Sequence, residues 1–182
     1  MRWVRNLFNI GDKIVYPMHG AGVIVEITQK EILGDISDYY ILKMPMGQMK
    51  ISVPVHKIKD LGIRNVMDKE KAEEVHRVLE KSVEEEDENW NQRYKDNLEK
   101  LRTGDIIEIT EVYRSLYLLD SVKGLSMAEK KILNAAKKML ISELALVEDR
   151  EAKEIELQIT TLLDEELKIE ENYSETIKVI DD

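Results

Sequence analysis

The first third of the chain alternates short apolar runs with turn residues. Apolar side chains recur at every second position, as in Val23, Val25 and Ile27, which is the spacing of a β-strand with one buried face. The runs predict strands over residues 13–16, 22–28, 39–44 and 49–55, and glycine or proline stands in each gap between them. Strands this short favour a small, strongly bent barrel or meander.

Beyond Gly62 the pattern changes to the period of amphipathic helices, and no further proline occurs. The spacing predicts helices over residues 68–82, 90–101 and 153–166, another beginning after Asp105, and a long one after Ser126. Ser126 and Glu129 form a capping-box sequence, in which each side chain accepts a hydrogen bond from the other residue's backbone N–H. The long helix after Ser126 is therefore predicted to have a well-defined start.

The change of pattern divides the chain into three predicted parts. Residues 1–62 form a β domain, residues 63–167 a compact helical domain, and residues 168–182 an acidic tail, which we expect to be mobile and to contain β-type sequence. The fold class is α+β, with the β part preceding an all-α part. A β module of about 50 residues buries only a marginal core, so we expect it to pack against the part that follows.

Composition excludes several classes of protein. No run approaches the roughly 18 consecutive apolar residues of a membrane span, and the absence of cysteine excludes a disulfide scaffold and a thiol nucleophile. The first residues lack the apolar core of a signal peptide, so we expect a cytoplasmic protein. The net charge is −10, and residues 141–182 alone carry 14 acidic and 4 basic side chains. The rest of the chain is neutral, which leaves room for a local basic face.

Residues that could support catalysis are few. His19, His56 and His76 have no partner at the i,i+3 or i,i+4 spacing of a metal site on a helix. The acidic run at residues 84–88 lacks the alternating oxygen ligands and the glycine of a calcium loop. An enzyme that uses this run and a histidine is the weakest of the alternatives, and no metal or cofactor is expected.

A tryptophan among cations is the strongest sign of a binding function. Trp90 follows the acidic run and precedes Arg93 and Lys95, and a second basic group, with Lys130 at its centre, surrounds the start of the helix after Ser126. One interpretation is an apolar wedge flanked by phosphate-binding cations, as in proteins that bind the minor groove. The other is that Trp90 anchors the core and the lysines form a solvated face.

Several blocks of the sequence resemble one protein family. They are residues 8–23 (FNIGDKIVYPMHGAGV), 51–55 (ISVPV), 61–64 (LGIR), 89–90 (NW), 93–101 (RYKDNLEKL) and 124–130 (GLSMAEK). In this order they resemble the CarD/CdnL family of bacterial transcription regulators, which bind RNA polymerase. The first block is similar also to the polymerase-binding module of transcription-repair coupling factors, whereas the block with the tryptophan resembles the regulators alone.

The resemblance implies a Tudor-like β-barrel that pairs with the β subunit of RNA polymerase. Lys30 matches a basic polymerase-contacting position, and Ser52 stands where some relatives carry arginine, which would weaken that contact. The strand pattern itself offers a candidate sheet edge over residues 46–53, because polar and apolar side chains alternate there. The residues assigned to this contact are Lys30, Met49, Lys50, Ile51 and Ser52.

The resemblance also implies a helical domain that meets promoter DNA at the upstream edge of the transcription bubble. Trp90 would wedge into the minor groove and stabilise the open complex, while Arg93, Lys95 and Lys130 would hold phosphates. Gln92 replaces a residue that is often basic, which would weaken the DNA contact. We expect a monomer that reaches the nucleoid through polymerase. The alternative is a module that tethers a partner to polymerase without binding DNA.

Overall fold

The β domain is one antiparallel sheet. The computed structural model describes residues 7–47, 49–81 and 90–180, with side chains described up to residue 169. The strands follow the order β4-β3-β2-β1-β5 across the sheet, and a short 3-10 helix, Val55–Lys57, comes after β4. The strand bounds are β1 Lys13–Tyr16, β2 Gly20–Ile32, β3 Asp35–Lys43, β4 Lys50–Pro54 and β5 Arg64–Asn65. The predicted Tudor-like β domain is confirmed.

Strands β2 and β3 are longer than their apolar pattern predicted. They continue to a tight turn at Leu33 and Gly34, where both residues have positive φ angles of 53° and 86°. Such a turn matches the twist of two paired strands. The residues near the turn are largely exposed on both faces of the sheet. Because neither face is buried there, the sequence does not need to alternate between apolar and polar side chains.

A β-bulge in strand β2 selects the residues that enter the core of the sheet. The pairing with β3 shifts between Ile24 and Glu26, which leaves Val25 as an extra residue. Ile24 is fully buried, whereas Val25 is 37% exposed. The core of the β domain also contains Ile14, Tyr40, Leu42, Met44, Val53, Val55, Ile58 and Ile63.

Five helices are present in the described residues of the second part of the molecule, as the helical period predicted. Their bounds are α1 Lys69–Leu79, α2 Trp90–Thr103, α3 Ile106–Lys123, α4 Met127–Glu148 and α5 Ala152–Ile180. Asp68 and Asp105 cap α1 and α3, and the capping box at Ser126 and Glu129 is formed. Their buried faces share one apolar core. None of the helices in the described part of the chain is both long enough and apolar enough to cross a membrane.

The end of the chain differs from the prediction. Helix α5 continues to Ile180, so residues 168–180 are helical although their sequence is of β type. No glycine or proline follows Gly124, and without either residue the helix has no strong local signal to end. The division of the chain at residue 168 stays a prediction.

Helix α4 packs directly against the β domain. The Ala21 N–H donates to the Ser142 Oγ over 2.7 Å, and the Lys13 Nζ donates to the Leu146 carbonyl over 2.7 Å. A Cβ atom on Gly20 would lie only 2.6 Å from the Ser142 Oγ, and the φ angle of Gly20 is +102°. Glycine is therefore needed at position 20 so that the strand and the helix can approach each other this closely.

Candidate functional site

Strand β4 lies at one end of the sheet, and one of its sides has no neighbouring strand among the described residues. The Met44 N–H donates to the Met49 carbonyl over 2.9 Å, which makes these two residues a hydrogen-bonded pair. Such pairs alternate along an antiparallel ladder, and the register continues without a shift along β4. Every second residue of β4 therefore turns its backbone groups away from β3. These residues are Lys50, Ser52 and Pro54, of which Pro54 offers only its carbonyl group. We call residues 50–54 the β4 edge.

The structure brings together two of the residues assigned to polymerase contact. The Lys30 Nζ donates to the Ser52 Oγ over 2.6 Å and lies 5.6 Å from the centre of the Tyr39 ring. Lys30 is half-buried and Ser52 is exposed. The serine thus holds the ammonium group on the outer face of the sheet, beside the free backbone groups of the β4 edge.

The other assigned residues differ in accessibility. Met49 is 56% exposed and Lys50 is exposed. Ile51 is half-buried and packs against the core of the β domain. Met49 and Lys50 therefore present side chains to a partner, whereas Ile51 mainly fixes the strand to the sheet.

The second candidate surface is at the starts of two helices. Trp90 is the first residue of α2, and its side chain lies outside the described residues. Lys95 and Lys130 are exposed, and the Lys130 Nζ lies 3.8 Å from an Asp120 carboxylate oxygen, which is a loose ion pair. We call Trp90, Lys95 and Lys130 the helical patch.

Arg93 is buried rather than presented to solvent. Its side chain donates to the Glu129 Oε1 from Nε over 3.0 Å and from Nη2 over 2.6 Å, and the residue is only 8% exposed. This ion pair joins the first turn of α2 to the first turn of α4. To contact a phosphate, the Arg93 guanidinium would have to leave the Glu129 carboxylate or bind both groups at once. Phosphate contact by Arg93 stays a prediction.

Glu129 is the centre of a small polar network. Besides Arg93, its carboxylate accepts hydrogen bonds from the Ser126 N–H over 3.0 Å and from the Ser126 Oγ over 2.8 Å. Burial by itself would raise the pKa of Glu129, yet the hydrogen bonds from Arg93 and Ser126 hold that pKa below its usual range. The carboxylate therefore stays charged and holds the two helix starts together.

Two of the three histidines, His76 and His19, take part in ordinary packing, and His56 is exposed. The His76 Nε2 lies 2.6 Å from a Glu148 carboxylate oxygen, which joins α1 to α4, and the His19 ring lies 4.3 Å from the Tyr16 ring. No group of three potential metal ligands occurs in the part of the chain that the structure describes. The acidic run at residues 84–88 lies outside that part.

A partly buried ion pair between the sheet and helix α4 was not predicted from the sequence. The Arg64 guanidinium, on β5, meets the Glu143 carboxylate, on α4, through two hydrogen bonds of 2.6 and 2.9 Å. Glu143 is 1% exposed and also accepts the Met67 N–H over 2.7 Å. The one available signal was a charged residue inside the apolar run at residues 139–147, because such a charge needs a partner when it is buried.

The comparisons with known proteins cover both parts of the chain. Residues 8–67 match the family model described as “CarD-like/TRCF RID domain”, and residues 74–160 match the model described as “CarD, C-terminal domain”. A protein of Bacillus subtilis (strain 168), named “Putative transcription factor YdeB”, is 39% identical over 149 residues. That alignment covers 82% of this chain and 97% of the Bacillus protein.

Proposed function

The chain belongs to the CarD/CdnL family of RNA polymerase-binding transcription regulators, and from this membership we propose that it holds polymerase and promoter DNA at the same time. The β4 edge binds the polymerase β subunit, and the helical patch contacts DNA at the upstream edge of the transcription bubble. Proteins of this family are regulators and not enzymes, so the enzyme alternative is set aside. Through polymerase, the chain is expected at the nucleoid.

The observation that carries the polymerase contact is the free side of β4. Its outward N–H and C=O groups can accept a strand from a partner, and a strand added in this way gains affinity from main-chain hydrogen bonds. Lys30, held by Ser52, places a positive charge beside that strand. The edge is thus suited to an extended, partly acidic segment of the β subunit.

The DNA contact is supported by the exposed cations of the helical patch. Lys95 and Lys130 are exposed and can approach phosphates, which would supply affinity without sequence preference. Trp90 stands at the start of the same helix as Lys95 and is proposed as the minor-groove wedge. In this proposal Arg93 positions α2 against α4 through Glu129. Its own phosphate contact stays a prediction, and the two exposed lysines make the other phosphate contacts.

The proposed effect is a shift in the promoter equilibrium. A protein that binds the open promoter more tightly than the closed one shifts the equilibrium by that difference in affinity. A weak DNA contact suffices, because attachment to polymerase makes the second contact intramolecular and raises its effective concentration. No catalytic group is needed for this effect.

The lifetime of open complexes tests the proposal. We expect wild-type protein to lengthen the lifetime, and we expect Lys95→Ala combined with Lys130→Ala to reduce this effect while polymerase binding persists. Lys57 and Lys59 are exposed and belong to neither surface. Changing both to alanine is a matched control, because it removes the same two positive charges. A wild-type protein that binds polymerase without changing the lifetime would contradict the proposal.

Tethering of a partner without DNA contact is the second candidate function, and the burial of Arg93 favours it. Crosslinking distinguishes the two functions. With a photoreactive group at position 95, the DNA-binding function predicts a crosslink to upstream promoter DNA in the complex with polymerase. The tethering function predicts none.

A further inference from the structure

We propose that Arg64 and Glu143 are positioning residues, which fix the direction of the helical patch relative to the β4 edge. The inference rests on the proposed function, because it concerns how the two contacts are made at once. Neither residue touches polymerase or DNA in this scheme. Their task is to stop the helical domain from turning on the β domain.

The hydrogen-bond geometry supports this role. A guanidinium and a carboxylate joined by two parallel hydrogen bonds lie in one plane, which restricts rotation as well as separation. The Arg64 Nη2 also donates to the Gly104 carbonyl over 3.1 Å, and the Glu143 Oε1 accepts the Met67 N–H. The pair therefore connects β5, the segment before α1, the turn before α3 and helix α4.

Two further hydrogen bonds join the same helix to other strands. Ser142 accepts from Ala21 on β2, and the Leu146 carbonyl accepts from Lys13 on β1. Helix α4 is thus attached to β1, β2 and β5 at separate points. Of these attachments, the Arg64–Glu143 pair is the one between two full charges, and its carboxylate is almost completely buried.

The pair is separated from both proposed contact surfaces. Strand β5 is four strands away from β4, which is about 19 Å along the curved sheet at about 4.8 Å per strand. Along α4, Glu143 and Lys130 are separated by about 20 Å at about 1.5 Å per residue. A small rotation at Arg64 and Glu143 would therefore move the helical patch by several ångströms relative to the β4 edge.

This placement has a consequence that differs from ordinary destabilisation. Linking two binding contacts raises the overall affinity by roughly 10²- to 10⁴-fold, and the gain is lost when the geometry prevents both contacts from forming together. A loosened pair should therefore leave polymerase binding and DNA binding unchanged when each is measured alone. Only the complex that contains both should lose stability.

Glu143→Gln in the full chain is the test variant. Glutamine has the shape of glutamate and can still accept the Met67 N–H, but it cannot form the charged, two-bond contact with Arg64. Glu148→Gln is the matched control, because Glu148 is on the same helix and bonds to His76 and Arg150 within the helical domain. The readouts are domain orientation from residual dipolar couplings, the two separate affinities, and open-complex lifetime.

We expect Glu143→Gln to broaden the distribution of domain orientations and to reduce the lifetime gain about tenfold or more. Each separate affinity should stay within about twofold, and Glu148→Gln should behave as wild type. Unchanged orientation in Glu143→Gln would overturn the inference, and so would changed orientation with an unchanged lifetime. If the wild-type protein itself had no effect on lifetime, the proposed function would fail, whereas the orientation measurement would still decide whether the pair positions the domains.

An engineered disulfide distinguishes a loss of domain orientation in Glu143→Gln from poor folding of that variant. The chain has no cysteine, so Ala21→Cys and Ser142→Cys introduce two unique thiols at residues that are joined by a hydrogen bond from the Ala21 backbone N–H to the Ser142 Oγ. In the Glu143→Gln background, oxidation should restore both the orientation and the lifetime, and reduction should remove both again. A variant that stays defective when oxidised would show that position 143 acts in some way other than domain orientation.

Discussion

The β4 edge and the helical patch differ in the part of the residue that would make the contact. At the edge the proposed contact would be made by backbone groups, which every residue except proline provides in full. At the patch the proposed contact would be made by long side chains, and their helices are held in place by the buried pair of Arg93 and Glu129. The first surface should therefore tolerate changes of side chain, whereas the second should depend on a few particular residues.

The largest expected effect is the loss of stability when the Arg93–Glu129 ion pair beneath the helical patch is removed. Arg93→Ala leaves the Glu129 carboxylate buried without its cation, and we expect the free energy of unfolding to fall by about 3–5 kcal/mol. Arg102→Ala is the control, because Arg102 is exposed on the same helix and should change that free energy by about 0.5 kcal/mol or less. Urea unfolding of both variants measures the difference. Equal stability of the two variants would mean that the patch has no special support.

Low pH should weaken the same Arg93–Glu129 ion pair. The pKa of Glu129 is lower in the folded protein than its usual value, so the stabilisation is fully present above the usual carboxyl pKa of about 4.3. It is lost as the pH falls through the lowered pKa of the folded state. We expect wild-type protein to lose more stability over this range than Glu129→Gln does. Parallel stability curves for the two proteins would contradict the prediction.

At the β4 edge, proline should act where alanine does not. Lys50→Pro removes one outward N–H group, and we expect the binding free energy for the polymerase β subunit to weaken by about 1 kcal/mol. Lys50→Ala keeps that N–H and should bind nearly as wild type. Calorimetric titration with the β-subunit fragment measures both. If alanine weakened binding as much as proline, the contact would belong to the side chain and the comparison would fail.

The contribution of the lysines of the helical patch should be measurable from the salt dependence of DNA affinity. Lys130→Ala should lower DNA affinity equally on different sequences and should reduce the slope of log affinity against log salt by about 1. Lys50→Ala is the matched control from the other surface and should leave the slope unchanged. Fluorescence anisotropy at several salt concentrations gives the slopes. An unchanged slope for Lys130→Ala would identify the lysine as part of a solvated face.

Trp90→Ala should have the smallest effect on stability and still shorten the open-complex lifetime. A wedge that is exposed in the free protein contributes about 0.5 kcal/mol or less to folding, whereas a core anchor would contribute roughly 3–5 kcal/mol. A thermal unfolding curve separates the two interpretations. A large fall in melting temperature would remove Trp90 from the patch, and the polymerase contact would remain.

The sequence predicted what is local. The capping box at Ser126 and Glu129 was found because both residues lie within one turn, and the helices were found because their apolar period is regular. The pairs Arg93–Glu129 and Arg64–Glu143 were missed as pairs because their members are far apart in the chain, and a single sequence holds no information on which distant charges meet. The ends of β2 and β3 were missed because exposed strand residues do not alternate.

The attachment of Lys13 to Leu146 has a consequence for the order of folding. Strand β1 makes this contact with a residue at the end of α4, so the contact has a very high sequence separation. During synthesis at about 5–20 residues per second, β1 must wait roughly 7–27 s before α4 exists. We therefore expect the β domain to emerge as a marginal, incompletely covered sheet. Such long-range closure is slow, and the nascent chain has its greatest need of chaperones in that interval.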